Sequence, residues 1–274
     1  MILKLTILGT GNANVTECYN TCFIFEQTDG NAADRYFLVD AGGGNGILRQ
    51  LKIANIRLND IHTFFCTHKH LDHFTGMLWI IRMLLQEIDK GNYTGNAVIY
   101  GHNEVTELLR LFSFRMLPQK ITGYIDDRMK FISVSDGEHR EILGKDVTFF
   151  DIGSTKAKQF GFTMQLNENV ERLTCCGDEP FRECEQKYAE SSTWLLHEAF
   201  CLYSERDIFR PYEKHHSTVK DACELAERLH VKNLLLYHTE DKNITERKAL
   251  YTAEGRKYFS GNIYVPDDME SFEV

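Results

Sequence analysis

Long apolar runs are missing from this sequence of 274 residues. No stretch approaches the ~18 apolar residues that a membrane-spanning helix requires, so no membrane association is expected. Proline is scarce, with four residues, and no Gly/Ser-rich run, short repeat or low-complexity tract is evident. These absences argue against a linker between domains and favour a single compact domain over residues 1–274.

Basic residues are in the minority, because 31 Lys and Arg face 40 Asp and Glu and give a formal net charge of −9. Binding to a phosphate backbone depends on Lys and Arg that release counterions, so large RNA is not expected as the main substrate. The first residues, Met1–Leu8, alternate like a strand and lack the basic-then-apolar layout of a secretory signal. This pattern predicts a cytoplasmic protein.

The eight cysteines show no convincing ligand pattern. Cys66 and Cys223 fall in apolar strand-like and helix-like stretches, as core cysteines do. Cys18 and Cys22 are spaced like half of a structural zinc site, but a second matching pair is lacking. Reduced, unligated thiols are therefore preferred over a structural metal, and disulfides are not expected in the cytoplasm.

The run Thr67-His68-Lys69-His70-Leu71-Asp72-His73 holds four side chains that can bind a metal. It follows a strand-like stretch and precedes a helix-like one, which places the loop where α/β sheets tend to carry their sites. Imidazole and carboxylate are ligands that a catalytic zinc usually takes. His68 and His70 can address one metal, and Asp72 and His73 can address a neighbour. A loop rich in histidine by chance is the plainer alternative, but its context favours a binuclear site.

Periodicity along the chain predicts a mixture of strands and helices. Strands are expected at Ile2–Leu8, Thr21–Glu26, Tyr36–Val39, His62–Cys66, Ala97–Tyr100, Phe131–Val134, Val147–Ile152, Phe160–Leu166, Arg172–Cys176, Thr193–Leu196 and Asn233–Tyr237. Helices are expected at Gly46–Asn55, Phe74–Lys90, Asn103–Leu117, Arg182–Glu190, Thr218–His230 and Thr245–Tyr258, with Ser217 as a cap. Early hairpins followed by alternating strands and helices predict two sheets packed face to face, with helices outside.

A loop of six residues cannot fill two metal coordination spheres, so other segments must contribute ligands. Asp40, Asp178, the pair His197-Glu198 and His238 each end an apolar, strand-like stretch. Polar residues at strand ends are usually caps or turn formers. Four such ends beside the histidine-rich loop nevertheless favour one shared site.

Together these motifs resemble the metallo-β-lactamase superfamily, and within it the ribonuclease Z-like branch. The matching residues are Gly9-Thr10-Gly11, Asp40 in Val-Asp-Ala-Gly, the His-x-His-x-Asp-His loop, Gly177-Asp178, His197-Glu198-Ala199, His216-Ser217-Thr218 and His238. They span nearly the whole chain. The resemblance implies a fold of mixed α/β (α+β) class, the four-layer αββα metallo-β-lactamase sandwich, with metals at one edge of the two sheets.

The resemblance also implies the ligands of two divalent metal ions, with zinc expected first and manganese or iron as alternatives. Asp178 would bridge the metals, and Asp40 would orient a ligand histidine from behind. The remaining ligands would be His68 and His70 for the first metal, and Asp72, His73 and His238 for the second.

The same resemblance implies a reaction in which a metal-activated hydroxide attacks the substrate. Asp72 would hold the remaining proton of that hydroxide. His216, with its tautomer fixed by Glu198, would donate a proton to the leaving oxygen or stabilise charge on the transferred group.

One departure from the branch concerns the first metal. Members carry a further zinc-ligating histidine shortly before a Gly-[Phe/Tyr] pair, whereas no histidine precedes Gly161-Phe162 between His139 and His197. A weak, mixed-metal or empty first site is therefore expected, with the second site occupied in preference. Lys156 and Lys158 could instead bring positive charge toward a substrate phosphate, solvated loop lysines being the plainer alternative.

A second departure concerns substrate size. Members that process tRNA 3′ ends carry a basic, Gly-rich arm before the Gly-Asp motif, but residues 162–176 suffice here only for a hairpin. The segment 91–130 is interpreted as an insertion that forms a pocket wall or an oligomer surface, with a homodimer as the candidate assembly.

These features favour a metal-dependent hydrolase that acts on a small-molecule or nucleotide-like phosphodiester. Lactone or thioester hydrolysis would need the same metals, but His216 and Glu198 favour phosphorus. One alternative is a tRNA 3′ endonuclease, the ribonuclease Z activity. The other belongs to a different class, a binding or sensing module with a degraded metal site.

Overall fold

The computed structural model describes residues 3–27, 35–167 and 171–274. The strands are β1 (Leu3–Gly9), β2 (Cys22–Gln27), β3 (Tyr36–Val39), β4 (Thr63–Phe65), β5 (Ala97–Gly101), β6 (Met129–Ser133), β7 (Glu138–Ile142), β8 (Lys145–Asp151), β9 (Phe160–Gln165), β10 (Arg172–Cys175), β11 (Trp194–Glu198), β12 (Asn233–Tyr237), β13 (Asn262–Tyr264) and β14 (Ser271–Glu273). The α-helices are α1 (Gly46–Ile53), α2 (Leu71–Asp89), α3 (Asn103–Met116), α4 (Gln119–Thr122), α5 (Gln186–Ala189), α6 (Arg206–Phe209), α7 (Val219–Arg228) and α8 (Arg247–Gly255).

The described strands form two seven-stranded sheets, each antiparallel at one end and parallel at the other. The first has the order β14-β1-β2-β3-β4-β5-β6, and the second has the order β13-β12-β11-β10-β9-β8-β7. Strands β3 to β6 run parallel, as do β10 to β13. The loops after the parallel strands therefore lie at the carboxyl edges of the sheets, where α/β proteins build their sites.

Three apolar clusters give the molecule its layers. The middle cluster lies between the sheets and is rich in phenylalanine, including Phe25, Phe37, Phe65, Phe149 and Phe162. Side chains of α1, α2 and α3 cover the outer face of the first sheet, and those of α7 and α8 cover the second. The predicted α/β sandwich is thus confirmed. Among the helices of the described ranges, none has the length and apolar character needed to cross a bilayer.

The main departures from the predicted elements lie at the edges of the sheets. Strands β7, β13 and β14 were not predicted, because they are short or mostly solvent-facing and carry little apolar period. The predicted first strand began at Ile2, which lies outside the described residues. The predicted cap of α7, Ser217, is also wrong, because Thr218 accepts a hydrogen bond from the backbone N–H of Asp221.

The segment 91–130, interpreted from the sequence as an insertion, contributes to the first sheet and its outer layer. It supplies β5, which pairs with β4 and β6 inside the first sheet, and α3, which packs on that sheet. Its predicted role as a pocket wall or an oligomer surface stays a prediction. Exposed apolar side chains on α3 are consistent with that role, namely Leu111, Phe112, Phe114 and Met116.

Helix α2 carries two of the predicted ligands and presses directly on the turn after β3. The backbone N–H of Gly76 donates to the carbonyl oxygen of Gly42 at 2.8 Å. A Cβ atom added to Gly76 would lie 1.8 Å from the carbonyl oxygen of Ala41. Only glycine permits this approach, so Gly76 fixes the distance between the turn that bears Asp40 and the helix that bears His73.

We expect Gly76→Ala to lower the free energy of unfolding by at least ~1–3 kcal/mol, because the helix must move away from the turn. Urea titration followed by circular dichroism would measure the loss. Gly123→Ala is the matched control, since the nearest atom to its added Cβ is at 3.6 Å and no left-handed backbone is involved. Equal stability of the two variants would contradict this account of the contact.

Candidate metal centre

Six side chains from three segments meet at the carboxyl edges of the sheets. They form two groups whose ligand atoms lie within 4.8 Å of one another in each group. The first group contains His68, His70 and Asp178. The second contains Asp72, His73, Asp178 and His238. The structure therefore brings together all six side chains that the sequence suggested as ligands, and Asp178 is common to both groups.

The distances within the centre suit a metal ion. Oδ2 of Asp178 lies 3.6 Å from Nε2 of His68, 3.3 Å from Nε2 of His73 and 3.5 Å from Nε2 of His238. Ligands at ~2.0–2.1 Å from a tetrahedral zinc are about 3.3 Å apart, so these separations are those of atoms sharing a cation. Nε2 of His73 is also buried without a hydrogen-bond partner. A bound cation would satisfy it, and the residues present therefore fit divalent metals.

The charge balance of the centre also favours cations. Three carboxylates, those of Asp40, Asp72 and Asp178, are buried there. Burial opposes the ionisation of Asp178, but the neighbouring imidazoles, His68 and His238 foremost, hold the pKa of this carboxyl well below its usual range. Burial likewise opposes a charge on His73, yet Asp72 and Asp40 raise its pKa well above the usual value. In the metal-free protein, a proton on His73 therefore offsets part of the negative charge of Asp72 and Asp40. A divalent cation would neutralise that charge instead.

Asp40 holds one histidine of each group. Its Oδ2 accepts hydrogen bonds from Nδ1 of His73 at 2.7 Å and from Oγ1 of Thr67 at 2.8 Å. Oγ1 of Thr67 in turn lies 2.9 Å from Nδ1 of His68, so it accepts the proton of that ring. Both rings are thereby turned with Nε2 toward Asp178. Asp40 thus contacts a candidate ligand histidine, and its orienting role stays a prediction that this contact supports. Thr67 was missed at the level of sequence, because a threonine beside a histidine carries no signal of its own.

Two residues of the centre have backbone conformations that are unfavourable for most side chains. Asp40 has a φ of 55° and His238 has a φ of 57°, both in the left-handed region. Local hydrogen bonds hold these conformations, because Asp40 N donates to Phe65 O at 2.8 Å and Thr239 N donates to Thr10 O at 3.0 Å. Such strain is typical of functional sites and turns both side chains into the centre.

His216 lies against the shared ligand. Its Nδ1 donates to the main-chain oxygen of Asp178 at 2.8 Å, whereas Oε2 of Glu198 is 3.7 Å away. Its ring stacks on Phe200 with centroids 4.9 Å apart. Burial lowers the pKa of His216 to about 3, so the ring is neutral in the free protein. Because Nδ1 is engaged in the hydrogen bond to Asp178, Nε2 is the ring nitrogen that can contact a bound molecule.

The predicted role of Glu198 requires a correction. It does not fix the tautomer of His216, because the main-chain oxygen of Asp178 is the closer acceptor. Glu198 instead accepts a hydrogen bond from Ser217 N and so anchors the segment that bears His216. Burial raises the pKa of Glu198 well above its usual value. His197, which precedes it in β11, belongs to neither ligand group and donates from Nδ1 to the main-chain oxygen of Glu198 at 2.7 Å.

The segment that lacks the expected histidine adds no ligand to the first group in the described structure. Oγ of Ser154 donates to Oε1 of Glu179 at 2.7 Å and is thereby engaged elsewhere. The first group has three ligands and the second has four. The expected order of occupancy, second site before first, stays a prediction that this difference supports.

The two lysines proposed for substrate contact face different surroundings. Lys156 donates to the main-chain oxygen of Lys214, and its charge lowers the pKa of His216 and of His238, after the larger effect of burial. Lys158 lies over the ring of Phe160, and its charge instead affects His102. Lys156 is thus hydrogen-bonded to the segment just before His216, whereas Lys158 lies against Phe160.

Comparisons with known proteins agree with this geometry. A family model described as Anti-Pycsar protein Apyc1 matches residues 3–258. Ribonuclease Z of Staphylococcus carnosus (strain TM300) is 22% identical over 314 residues, covering 99% of this chain and 100% of that protein. The metallo-β-lactamase fold protein YhfI from Bacillus subtilis covers 100% of both chains at 15% identity, with a TM-score of 0.79. A new diphosphatase from the PhnP family covers 100% of this chain and 98% of its own at 16% identity, with a TM-score of 0.71.

These likenesses confirm the predicted resemblance, because the chain is similar to Ribonuclease Z over its length and has the fold of a metallo-β-lactamase fold protein. They also confirm the fold, since YhfI matches it over its full length. Together with the two ligand groups, they support a metal-dependent hydrolase.

We expect Asp178→Ala to release metal from both groups, because its carboxylate belongs to each. Elemental analysis after dialysis against a weak chelator would measure the metal content per chain. Asp146→Ala is a suitable control, since that carboxylate is exposed on β8 and pairs only with His139 among the ion pairs described. Retention of one full equivalent by Asp178→Ala would show that the two groups do not share this ligand.

Proposed function

The chain belongs to the family described as Anti-Pycsar protein Apyc1, and from that membership and the paired ligand groups we propose a binuclear phosphodiesterase. Its substrate is a small or nucleotide-like phosphodiester. The family name states an antagonism to Pycsar and not a reaction, so the reaction is inferred from the site. The observation that carries the proposal is His216, whose Nδ1 donates to the main-chain oxygen of Asp178, the residue that both metal groups share, and whose ring centroid lies 5.1 Å from that of His238.

The metals are proposed to be two divalent cations, with zinc first. When bound, they supply Lewis acidity toward the phosphoryl oxygens and lower the pKa of water at the site. The first would be held by His68, His70 and Asp178, and the second by Asp72, His73, Asp178 and His238.

Two side chains handle protons in the proposed hydrolysis. Asp72 accepts a hydrogen bond from the attacking water and orients it. The water oxygen forms a bond to phosphorus as the ester bond to the leaving oxygen breaks, and the proton that the water loses passes through Asp72 to solvent. His216 holds a proton at Nε2 in the substrate complex, where the anionic diester opposes the effect of burial, and passes it to the leaving oxygen. The products are a phosphomonoester and an alcohol.

Lys156 is proposed to contact the phosphate of the substrate. Its ammonium group is close enough for its charge to affect the pKa of His216 and His238. A lysine acts there as a point charge that attracts an anionic diester and leaves catalytic proton transfer to His216. This charge distinguishes the phosphodiester proposal from hydrolysis of a neutral lactone or thioester.

A tRNA 3′ endonuclease remains the second candidate, favoured by the full-length likeness to Ribonuclease Z of S. carnosus. Two features support the small substrate instead. The net charge is −9, and β9 and β10 pair antiparallel with only residues 166–171 between them in the sequence. Both features reduce the basic surface that tRNA binding requires.

The compartment is proposed to be the cytoplasm. All eight cysteines are unpaired, and Cys184 is exposed. An exposed free thiol fits a reducing environment better than an oxidising one.

We expect the metal-loaded protein to hydrolyse a chromogenic phosphodiester and a panel of small nucleotide diesters at rates that depend little on salt. Initial rates with zinc, manganese or iron would be compared with cleavage of a precursor tRNA from 50 to 300 mM salt. Preferred cleavage of the tRNA with steep salt dependence would establish the endonuclease instead. Absence of turnover on every substrate, with less than one metal per chain, would favour a binding or sensing module.

We expect His216→Ala to keep the wild-type metal content while lowering kcat by ~10²–10⁴-fold, as for loss of an acid–base group. Steady-state kinetics and elemental analysis on the same preparation would separate the two effects. His139→Ala on exposed β7 serves as the matched control. Unchanged kcat in His216→Ala would remove this residue from the reaction, and loss of metal would make it a structural support of Asp178.

A further inference from the structure

Gln159 makes a contact with the shared ligand that no sequence motif indicates. It lies just before β9 and is 1% exposed. Its Nε2 donates to Oδ1 of Asp178 at 2.7 Å and lies 3.2 Å from Nδ1 of His68. The amide of Gln159 thus lies between Asp178 and His68 of the first group, called here the three-ligand group. It lies on the side away from Oδ2 of Asp178 and Nε2 of His68, the atoms that would face a metal.

The surroundings of Gln159 hold it in place. Its main-chain oxygen accepts from Ile152 N at 3.1 Å, and the next residue, Phe160, donates from N to Thr67 O at 3.1 Å. The start of β9 is therefore hydrogen-bonded to the loop that bears His68. Gly177 has a φ of 75°, and a Cβ there would lie 2.9 Å from Nε2 of Gln159. The absence of a side chain at Gly177 makes room for the amide.

This contact gives the two carboxylate oxygens of Asp178 different partners. Oδ1 is engaged by Gln159, whereas Oδ2 lies 3.3–3.6 Å from the Nε2 atoms of His68, His73 and His238. We propose that Gln159 is a positioning residue that makes Asp178 a one-oxygen bridge, so that both metals share Oδ2. The inference rests on the proposed binuclear site and adds a determinant of its occupancy.

The two metal positions depend on this bridge to different degrees. Without the amide, the carboxylate of Asp178 can rotate and give both oxygens to the four-ligand group. The three-ligand group would then keep only His68 and His70, whereas the other would keep Asp72, His73 and His238 as well. Gln159 therefore keeps Asp178 available as a ligand of the three-ligand group, the group without a third histidine.

The chemistry of an amide suits this role. A carboxamide donates a hydrogen bond to Oδ1 without a charge, so it neither repels the cations nor competes for them. A glutamate at the same place would be an anion beside Asp178, and an apolar residue would leave Oδ1 buried without a donor. Partners that orient metal ligands in this way typically contribute 10–100-fold to metal affinity.

The test is Gln159→Met, which keeps the length of the side chain and removes the amide. Metal affinities would be measured by zinc titration against a competing chelator, and metal–metal coupling by electron paramagnetic resonance of the manganese-loaded protein. The first equivalent should bind within a few-fold of wild type, while the second should weaken by ~10–100-fold and the coupled signal should disappear. Gln50→Met is the matched control, because Gln50 is a buried amide that donates to Leu8 O at 2.7 Å, away from the ligands.

Several outcomes would overturn the proposal. They are wild-type affinity for both equivalents, equal weakening of both, or a wild-type protein that takes up only one metal. Tight binding of the first equivalent shows that Gln159→Met is folded. If this variant does not fold, Gln159→Asn keeps the amide but is one methylene shorter, and it should give the same selective loss. Selective loss without turnover on any diester would support Gln159 and reject the proposed phosphodiesterase.

Discussion

A single oxygen atom, Oδ2 of Asp178, sets the geometry on which the site depends. It lies 3.3–3.6 Å from His68 of the β4–α2 loop, His73 in the first turn of α2 and His238 after β12. The two sheets make this convergence possible, because the carboxyl ends of their parallel strands meet at one edge. The fold thus holds three segments of the chain in fixed positions. Each segment contributes some of the candidate ligands, and no single segment could supply the whole set.

Around this atom, a second set of residues decides which way each ligand points. Asp40 holds His73 directly and His68 through Thr67, and Gln159 holds the other oxygen of Asp178. These partners are buried, so each hydrogen bond is costly to leave unmade. The left-handed backbone at Asp40 and His238 shows that the fold sustains local strain to keep this arrangement.

The sequence predicted which six side chains meet in the two ligand groups, because they are chemically distinctive and follow apolar strands. The positions of most strands and helices could be predicted because the apolar residues of buried strands and amphipathic helices repeat with clear periods. Thr67 and Gln159 could not be predicted, because a neutral polar side chain gains its role only from neighbours distant in sequence. The role of Glu198 was misassigned for a related reason. A motif places it near His216, but only coordinates show that a main-chain oxygen is the nearer acceptor. The edge strands β7, β13 and β14 were missed because edge strands form by pairing with strands already in place.

The wide spacing of the ligands along the chain has a consequence for biosynthesis. The histidine-rich loop leaves the ribosome long before His238, and β14 completes the first sheet by pairing with β1. Until the loop after β12 emerges, the nascent chain lacks one of the four donors of the second group, whereas the donors of the first group are complete once Asp178 has been added. The order of the donors along the chain therefore makes the second group the last to be completed.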